Sequence, residues 1–113
     1  MANEDECRAA LDRVAARLAD VDPERFAEHV VERTITCRIP DLGIAFATRV
    51  HPGGLDPVRR TEDPSVGQVR LTVNSDDLVA LADDRLHPAR AWTSGRLRVE
   101  ASFTDLLRLR KAL

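Results

Sequence analysis

The chain has 113 residues, 43% hydrophobic and 32% charged, and a net charge of −2. This balance suits one folded domain and argues against disorder, while the near-neutral charge removes the strongest warrant for nucleic-acid binding. No apolar stretch approaches the ~20 residues needed to cross a bilayer. The acidic start, Asn3-Glu4-Asp5-Glu6, lacks the features of a secretory signal. Cys7 and Cys37 have no disulfide-framework spacing, so a reducing cytoplasm is the expected compartment.

Residues 4–21 place Cys7, Ala10, Leu11, Val14, Ala15, Leu18 and Val21 on one helical stripe. Asp22-Pro23-Glu24 predicts a second helix start, with a short turn of helix through Phe26 and Ala27. From Val30 the period changes to two. Ile35, Cys37 and Ile39 alternate with Thr34, Thr36 and Arg38, and after the turn Pro40-Asp41-Leu42-Gly43 the pattern resumes with Ile44, Phe46, Thr48 and Val50. A second turn, His51-Pro52-Gly53-Gly54, leads to a strand around Leu55 to Thr61, which Pro57 assigns to a sheet edge.

Thr61 to Gly67 reads as a loop. Val69, Leu71 and Val73 then alternate, and Ser75 is expected to cap a helix carrying Leu78, Val79, Leu81 and Ala82 toward Leu86. Pro88 starts a short turn of helix through Trp92, ended by Gly95. Leu97, Val99, Ala101 and Phe103 predict a final strand, and Thr104 is expected to cap a last helix with Leu106, Leu107, Leu109 and Leu113. The order predicts an α+β domain: a five-stranded, mainly antiparallel or mixed sheet with helices on one face. The span 1–113 reads as one domain, with 1–29 as an N-terminal helical segment.

Motifs for chemistry are sparse. His29, His51 and His87 have no histidine at i, i+4, and His51 and His87 each precede a proline in a turn. Cys37 alternates with Ile35 and Ile39, as a small core residue does. Asp76 and Asp77 suit a helix N-terminus, while Asp83 and Asp84 suit a solvated face. Gly53-Gly54 lies between strands and lacks the Lys-Ser/Thr of a phosphate loop. No metal site, cofactor or enzymatic activity is expected. An enzyme using Cys37 or a histidine stays open, because such partners need only meet in space.

Two stretches carry more information, Val69-Arg70-Leu71-Thr72-Val73-Asn74-Ser75-Asp76-Asp77-Leu78-Val79-Ala80-Leu81 and Leu86-His87-Pro88-Ala89-Arg90-Ala91-Trp92-Thr93-Ser94-Gly95-Arg96-Leu97-Arg98-Val99-Glu100. Together they resemble the sterol carrier protein type-two domain family: a strand, an acidic-capped helix, a His-Pro turn, an aromatic, then Gly-Arg-Leu-Arg-Val. Leu106-Leu107-Arg108-Leu109 is similar to that family's closing apolar helix.

The resemblance implies a sheet and helices enclosing an apolar tunnel for a sterol, fatty acid or fatty acyl-CoA. Its lining would be Phe46, Leu71, Val73, Leu78, Leu81, Leu86, Trp92, Leu97, Val99, Phe103, Leu106 and Leu107, with Trp92 at the rim and the last helix as lid. Arg90, Arg96, Arg98 and Arg108 could hold a carboxylate or phosphate head group or meet an anionic membrane, with Arg90 and Arg108 the head-group candidates, in a segment from Arg90 onward that has six cations against Glu100 and Asp105. Where the family commonly has glycine the chain has Ala101, which would narrow the space beside the lid. The expected partner is a lipid-like small molecule, with transient membrane-surface contact and no nucleic acid; no oligomeric state is implied. The alternative is an interaction module of the same fold whose pocket is filled by its own side chains, since such domains also occur fused to enzymes as scaffolds.

Overall fold

The computed structural model describes residues 1–19, 32–51 and 54–112, the backbone alone at 18–19 and 108–112. The helical turn expected through Phe26 and Ala27, His29, and the Pro52-Gly53 step lie outside the described residues.

Helix α1 (Glu4–Ala19) opens on a capping box. The Asn3 side chain accepts from the Glu6 N–H at 2.8 Å, and the Glu6 carboxylate accepts from the Asn3 N–H at 3.3 Å. Its apolar stripe buries Cys7 and Ala10, with Leu11 and Val14 packed beside them. Strands β1 (Arg33–Ile39) and β2 (Ile44–His51) form a hairpin in register from Arg33 opposite Val50 to Ile39 opposite Ile44. Gly43 closes its turn at φ +65°, a conformation that glycine adopts without steric cost.

The expected third strand is divided. Strands β3 (Gly54–Leu55) and β4 (Arg59–Thr61) both pair with the outer edge of β2. Between them Pro57 has no N–H to donate to a ladder. The Asp56 carbonyl instead accepts from Thr48 Oγ1 at 2.7 Å. The sheet of the described residues therefore has six strands rather than five, and the α+β class stands.

After a single 3-10 turn at Pro64–Val66, strand β5 (Val69–Val73) crosses to the far side of β1 and runs parallel to it. Helix α2 (Ser75–Ala82), the short α3 (Pro88–Thr93), strand β6 (Leu97–Glu100) and helix α4 (Phe103–Ala112) follow. The order across the sheet is β3-β2-β1-β5-β6, with β6 antiparallel to β5.

Two helix caps differ from expectation. Ser75 is the first residue of α2 and is buried; Asn74 occupies the cap position without a side-chain cap bond. At α4 the cap is Ser102, whose Oγ accepts from the Asp105 N–H at 3.2 Å and whose carbonyl accepts from the Leu106 N–H at 2.9 Å, so Thr104 sits inside the first turn. The same cap corrects the strand ahead of it. Strand β6 ends at Glu100, and Phe103 is the first residue of α4 instead of the last strand position. Serine three residues before an aspartate favours helix initiation over continued alternation.

Helices α1 and α2 pack together on one face of the sheet, where Cys7, Ala10, Leu78 and Ala82 meet Cys37, Ile39, Phe46 and Val73. Arg13 and Arg17 of α1 bridge Asp83 and Asp84 at the end of α2, at 3.0 and 2.9 Å. These pairs are exposed and orient the helices more than they stabilise them.

Candidate functional site

Strand alternation and register put Arg33, Ile35, Cys37 and Ile39 of β1 on the helix-bearing face, beside Val69, Leu71 and Val73 of β5 and Leu97 and Val99 of β6. Helices α1 and α2 cover the end holding Ile39, Phe46 and Val73. At the other end α4 leaves β6, and Asp105 Oδ2 accepts from Arg33 Nε at 3.0 Å. Asp105 is buried, so this bond anchors α4 over the start of β1. Between the two coverings runs a strip of half-buried apolar side chains, Ile35, Leu71 and Val99.

The twelve expected lining residues divide into three groups. Phe46, Val73 and Leu78 are buried in the core cluster, and Leu71, Leu81 and Leu97 pack against it while keeping some exposure. Leu86 is buried near the start of α3, and Trp92, Val99 and Leu106 are half-buried. Phe103 is 77% and Leu107 43% exposed, so these two face away from any interior. Their outward position follows from the helix that begins at Phe103: residues four apart share one helical face, and the buried Asp105 occupies another.

Arg90 is exposed and lines an open cleft of about 620 Å³ formed by α3 and the segment that leads into it, which Leu86 and His87 also border. The Arg108 side chain lies outside the described residues. A second cleft, of about 730 Å³, is lined by Arg38, Ala45, Arg60, Thr61, Glu62 and Pro64 among others. Of the expected lining residues only Leu86 borders either cleft.

The titratable candidates have structural partners. His51 Nε2 lies 3.0 Å from Asp56 Oδ1, and His87 Nδ1 accepts from the Ala89 N–H at 3.2 Å, capping α3. Burial pushes the Cys37 thiol up to about 12, and the neighbouring Cys7 adds to the rise. Burial likewise raises Cys7, helped by the carboxylates of Asp41, Glu6 and Asp76. A thiol so disposed is a poor nucleophile. Among the described residues no group of three His, Cys, Asp or Glu is placed to hold a metal ion, and no helix is long and apolar enough to cross a membrane.

Sequence reasoning missed Ile35 as part of the strip and Arg33–Asp105 as the α4 anchor. Ile35 carried a signal, since it alternates in phase with Cys37. The ion pair carried none, because its members lie 72 residues apart.

No protein-family model matches the chain, and no curated protein matches it in sequence. Solved structures do match in fold. Sterol carrier protein 2-like 2 from Aedes aegypti aligns with a TM-score of 0.63 and 17% identity over 96% of each chain. Sterol carrier protein 2 from Aedes aegypti, in complex with palmitate, aligns at 0.60 and 18% over 96% of this chain and 93% of that one. A double mutant of the sec-alkyl sulfatase PisA1 aligns at 0.65 and 21% over 85% of this chain. The chain spans 14% of that sulfatase. The chain thus has the α+β fold of the sterol carrier protein 2-like domains, as the resemblance in Val69–Glu100 implied.

Proposed function

We propose that the chain binds one lipid-like molecule reversibly, a fatty acid, fatty acyl-CoA or sterol, with no bond chemistry. The observation that carries this reading is the half-buried strip of Ile35, Leu71 and Val99 between the α1–α2 pair and α4, in a fold shared with a carrier solved in complex with palmitate. Leu81, Leu97, Trp92 and Leu106 would extend the strip, and Phe103 and Leu107 would reach the ligand only if α4 rotates or lifts. Arg90 and Arg108 are the head-group candidates.

Burying about 400 Å² of apolar ligand at ~25 cal/mol/Å² contributes roughly 10 kcal/mol. A loss of at least ~4 kcal/mol in ligand freedom leaves about 6 kcal/mol, an affinity of tens of micromolar. That suits a carrier, which must release its cargo.

A second reading, an interaction module with a self-filled pocket, draws support from the burial of Phe46, Val73 and Leu78 among the protein's own side chains. Native mass spectrometry of freshly purified protein and titration with a fluorescent fatty acid separate the two. Lipid binding predicts a saturable signal, a melting temperature that rises with lipid, and a clear loss of affinity in V99F, which fills the strip. Absence of a saturable signal together with an unchanged melting temperature would leave the self-filled module.

A further inference from the structure

The two edges of the sheet are built differently. One is broken: β3 has two residues and β4 three, Pro57 stands between them, and Arg59 and Arg60 follow in succession. Short pieces, proline and charge are the devices that close a sheet edge to further strands. The other edge is β6, Leu97–Glu100, which has no proline and keeps an unbroken register with β5. Among the described residues no backbone group takes up its outer side. Helix α4 leaves that side uncovered, because Asp105 ties it back over β1, two strands inward.

The side chains of this edge are complementary to themselves. Arg98 and Glu100 lie on the outer face of the sheet, and Leu97 and Val99 on the face that bears the helices. Arg98 is exposed and has no hydrogen bond or ion pair among the described residues. Glu100 is exposed too, with Arg70 Nη2 3.4 Å from one of its two carboxylate oxygens.

If two copies pair β6 with β6 antiparallel, about a two-fold axis normal to the sheet, residues opposite one another must share a face. Setting Val99 opposite the partner's Val99 then brings Arg98 opposite the partner's Glu100, and Glu100 opposite the partner's Arg98. Leu97 meets the partner's Ala101. Each charge is matched, and the half-buried Val99 gains an apolar neighbour on the helix side. The adjacent registers are worse. One sets Arg98 on Arg98 and the other Glu100 on Glu100, and like charges directly opposite are destabilising. A second copy supplies the matching alternation by symmetry, as an isologous interface requires.

We propose that β6 is a homodimerisation edge, joining two copies into one continuous sheet through reciprocal Arg98–Glu100 pairs around a central pair of Val99 side chains. A strand pair this short buries less than the roughly 1,200 Å² of standard stable interfaces, so the dimer is weak and forms at about 100 μM. The pairing is independent of any cargo bound on the helix side, so failure of the cargo titration leaves it standing.

Sedimentation equilibrium of the full chain, up to about 1 mM, tests it. The wild type is expected to pass from monomer to dimer. R98E and E100R should each weaken dimerisation roughly tenfold or more, since each turns two attractive pairs into two repulsive ones. Mixing R98E with E100R restores dimers containing one chain of each kind, because every charge pair across the edge is again of opposite sign. R59Q, on the broken edge, leaves association unchanged. The proposal is overturned if the wild type stays monomeric, which would leave the edge to a different partner or to the chain itself. It is also overturned if R98E dimerises as the wild type does, or if the mixture associates no more than its parts. Circular dichroism verifies that each variant is folded. Should E100R fail to fold beside Arg70, V99C keeps the test: glutathione disulfide should link it into a dimer, while V66C, exposed on the 3-10 turn, stays monomeric. V99C that links no faster than V66C overturns the proposal as well.

Discussion

The carboxylate of Asp41, in the β1–β2 turn, accepts two hydrogen bonds from Ser75, one from its backbone N–H at 3.0 Å and one from its hydroxyl. Helix α2 is thus capped from a turn 34 residues earlier in the chain, and the hairpin and the helix are fixed to each other at the same point. The side-chain carboxylate also complements the positive end of the helix.

Removing this cap has a definite cost. D41A is expected to lower stability by about 1 kcal/mol, the usual magnitude for a lost helix cap. Burial by itself raises the Asp41 carboxyl, but the Ser75 bonds and the N-terminal ammonium outweigh it and hold the group below the ordinary carboxylate value. A folded-state value below the unfolded one stabilises the protein above the ordinary value, and the gain is lost as pH falls through the folded one. Stability measured by urea unfolding should fall in acid for the wild type and less steeply for D41N.

The bond between Arg33 and Asp105 makes a second prediction. D105N keeps the size of the side chain and weakens a charge-assisted bond to a partly buried guanidinium, at a cost of about 1.5–3 kcal/mol. Hydrogen exchange should accelerate in α4 before it does in β1 or β5. Uniform acceleration throughout the chain would mean that the pair supports the whole fold rather than holding this helix.

Cys37 supplies a third. Its thiol, pushed up to about 12 by burial, stays neutral in the folded protein, whereas an unfolded thiol ionises near its ordinary value of 9.0. The stability it contributes is complete below pH 9.0 and declines from there towards about pH 12. Reaction with a thiol-specific disulfide reagent at pH 8 should be negligible for the native chain and rapid in denaturant. Fast labelling of folded protein would reopen a nucleophilic role for the cysteine.

Gly67 supplies a fourth. A Cβ placed there would lie 2.5 Å from Thr36 Oγ1 and 3.0 Å from the Thr36 backbone nitrogen. G67A should therefore cost about 1–3 kcal/mol through overpacking and displacement of the 3-10 turn from the sheet. In a double-mutant cycle, T36A should relieve part of that cost, because two of the three close contacts are with the threonine side chain. Additive losses would place the clash elsewhere.

How much of this was legible beforehand differs by element. The alternation of Ile35, Cys37 and Ile39 and of Val69, Leu71 and Val73, together with the stripe of Cys7 and Ala10, announced the sheet, its helix-bearing face and α1, because side-chain periodicity follows directly from backbone geometry. Pro57 signalled an edge, although not that the edge would break into two pieces. The apolar strip was visible as a set of residues. Which of them would remain partly open was not, since Phe46 and Leu71 look alike in sequence and differ only in what covers them.

Local chemistry therefore lay in the sequence by itself: the order of elements, the apolar face, and the absence of any metal-ligand or phosphate-loop spacing. Tertiary structure alone decided the caps and anchors. Asp41 reaches Ser75, Arg33 reaches Asp105, and Thr36 reaches Pro64 across 28 to 72 residues, at hydrogen-bond distances that only the finished packing brings about. It also turned Phe103 outward and gathered Arg38, Arg59 and Arg98 on one face. Their spacing in the chain is irregular, and only the pairing register of five strands makes them neighbours.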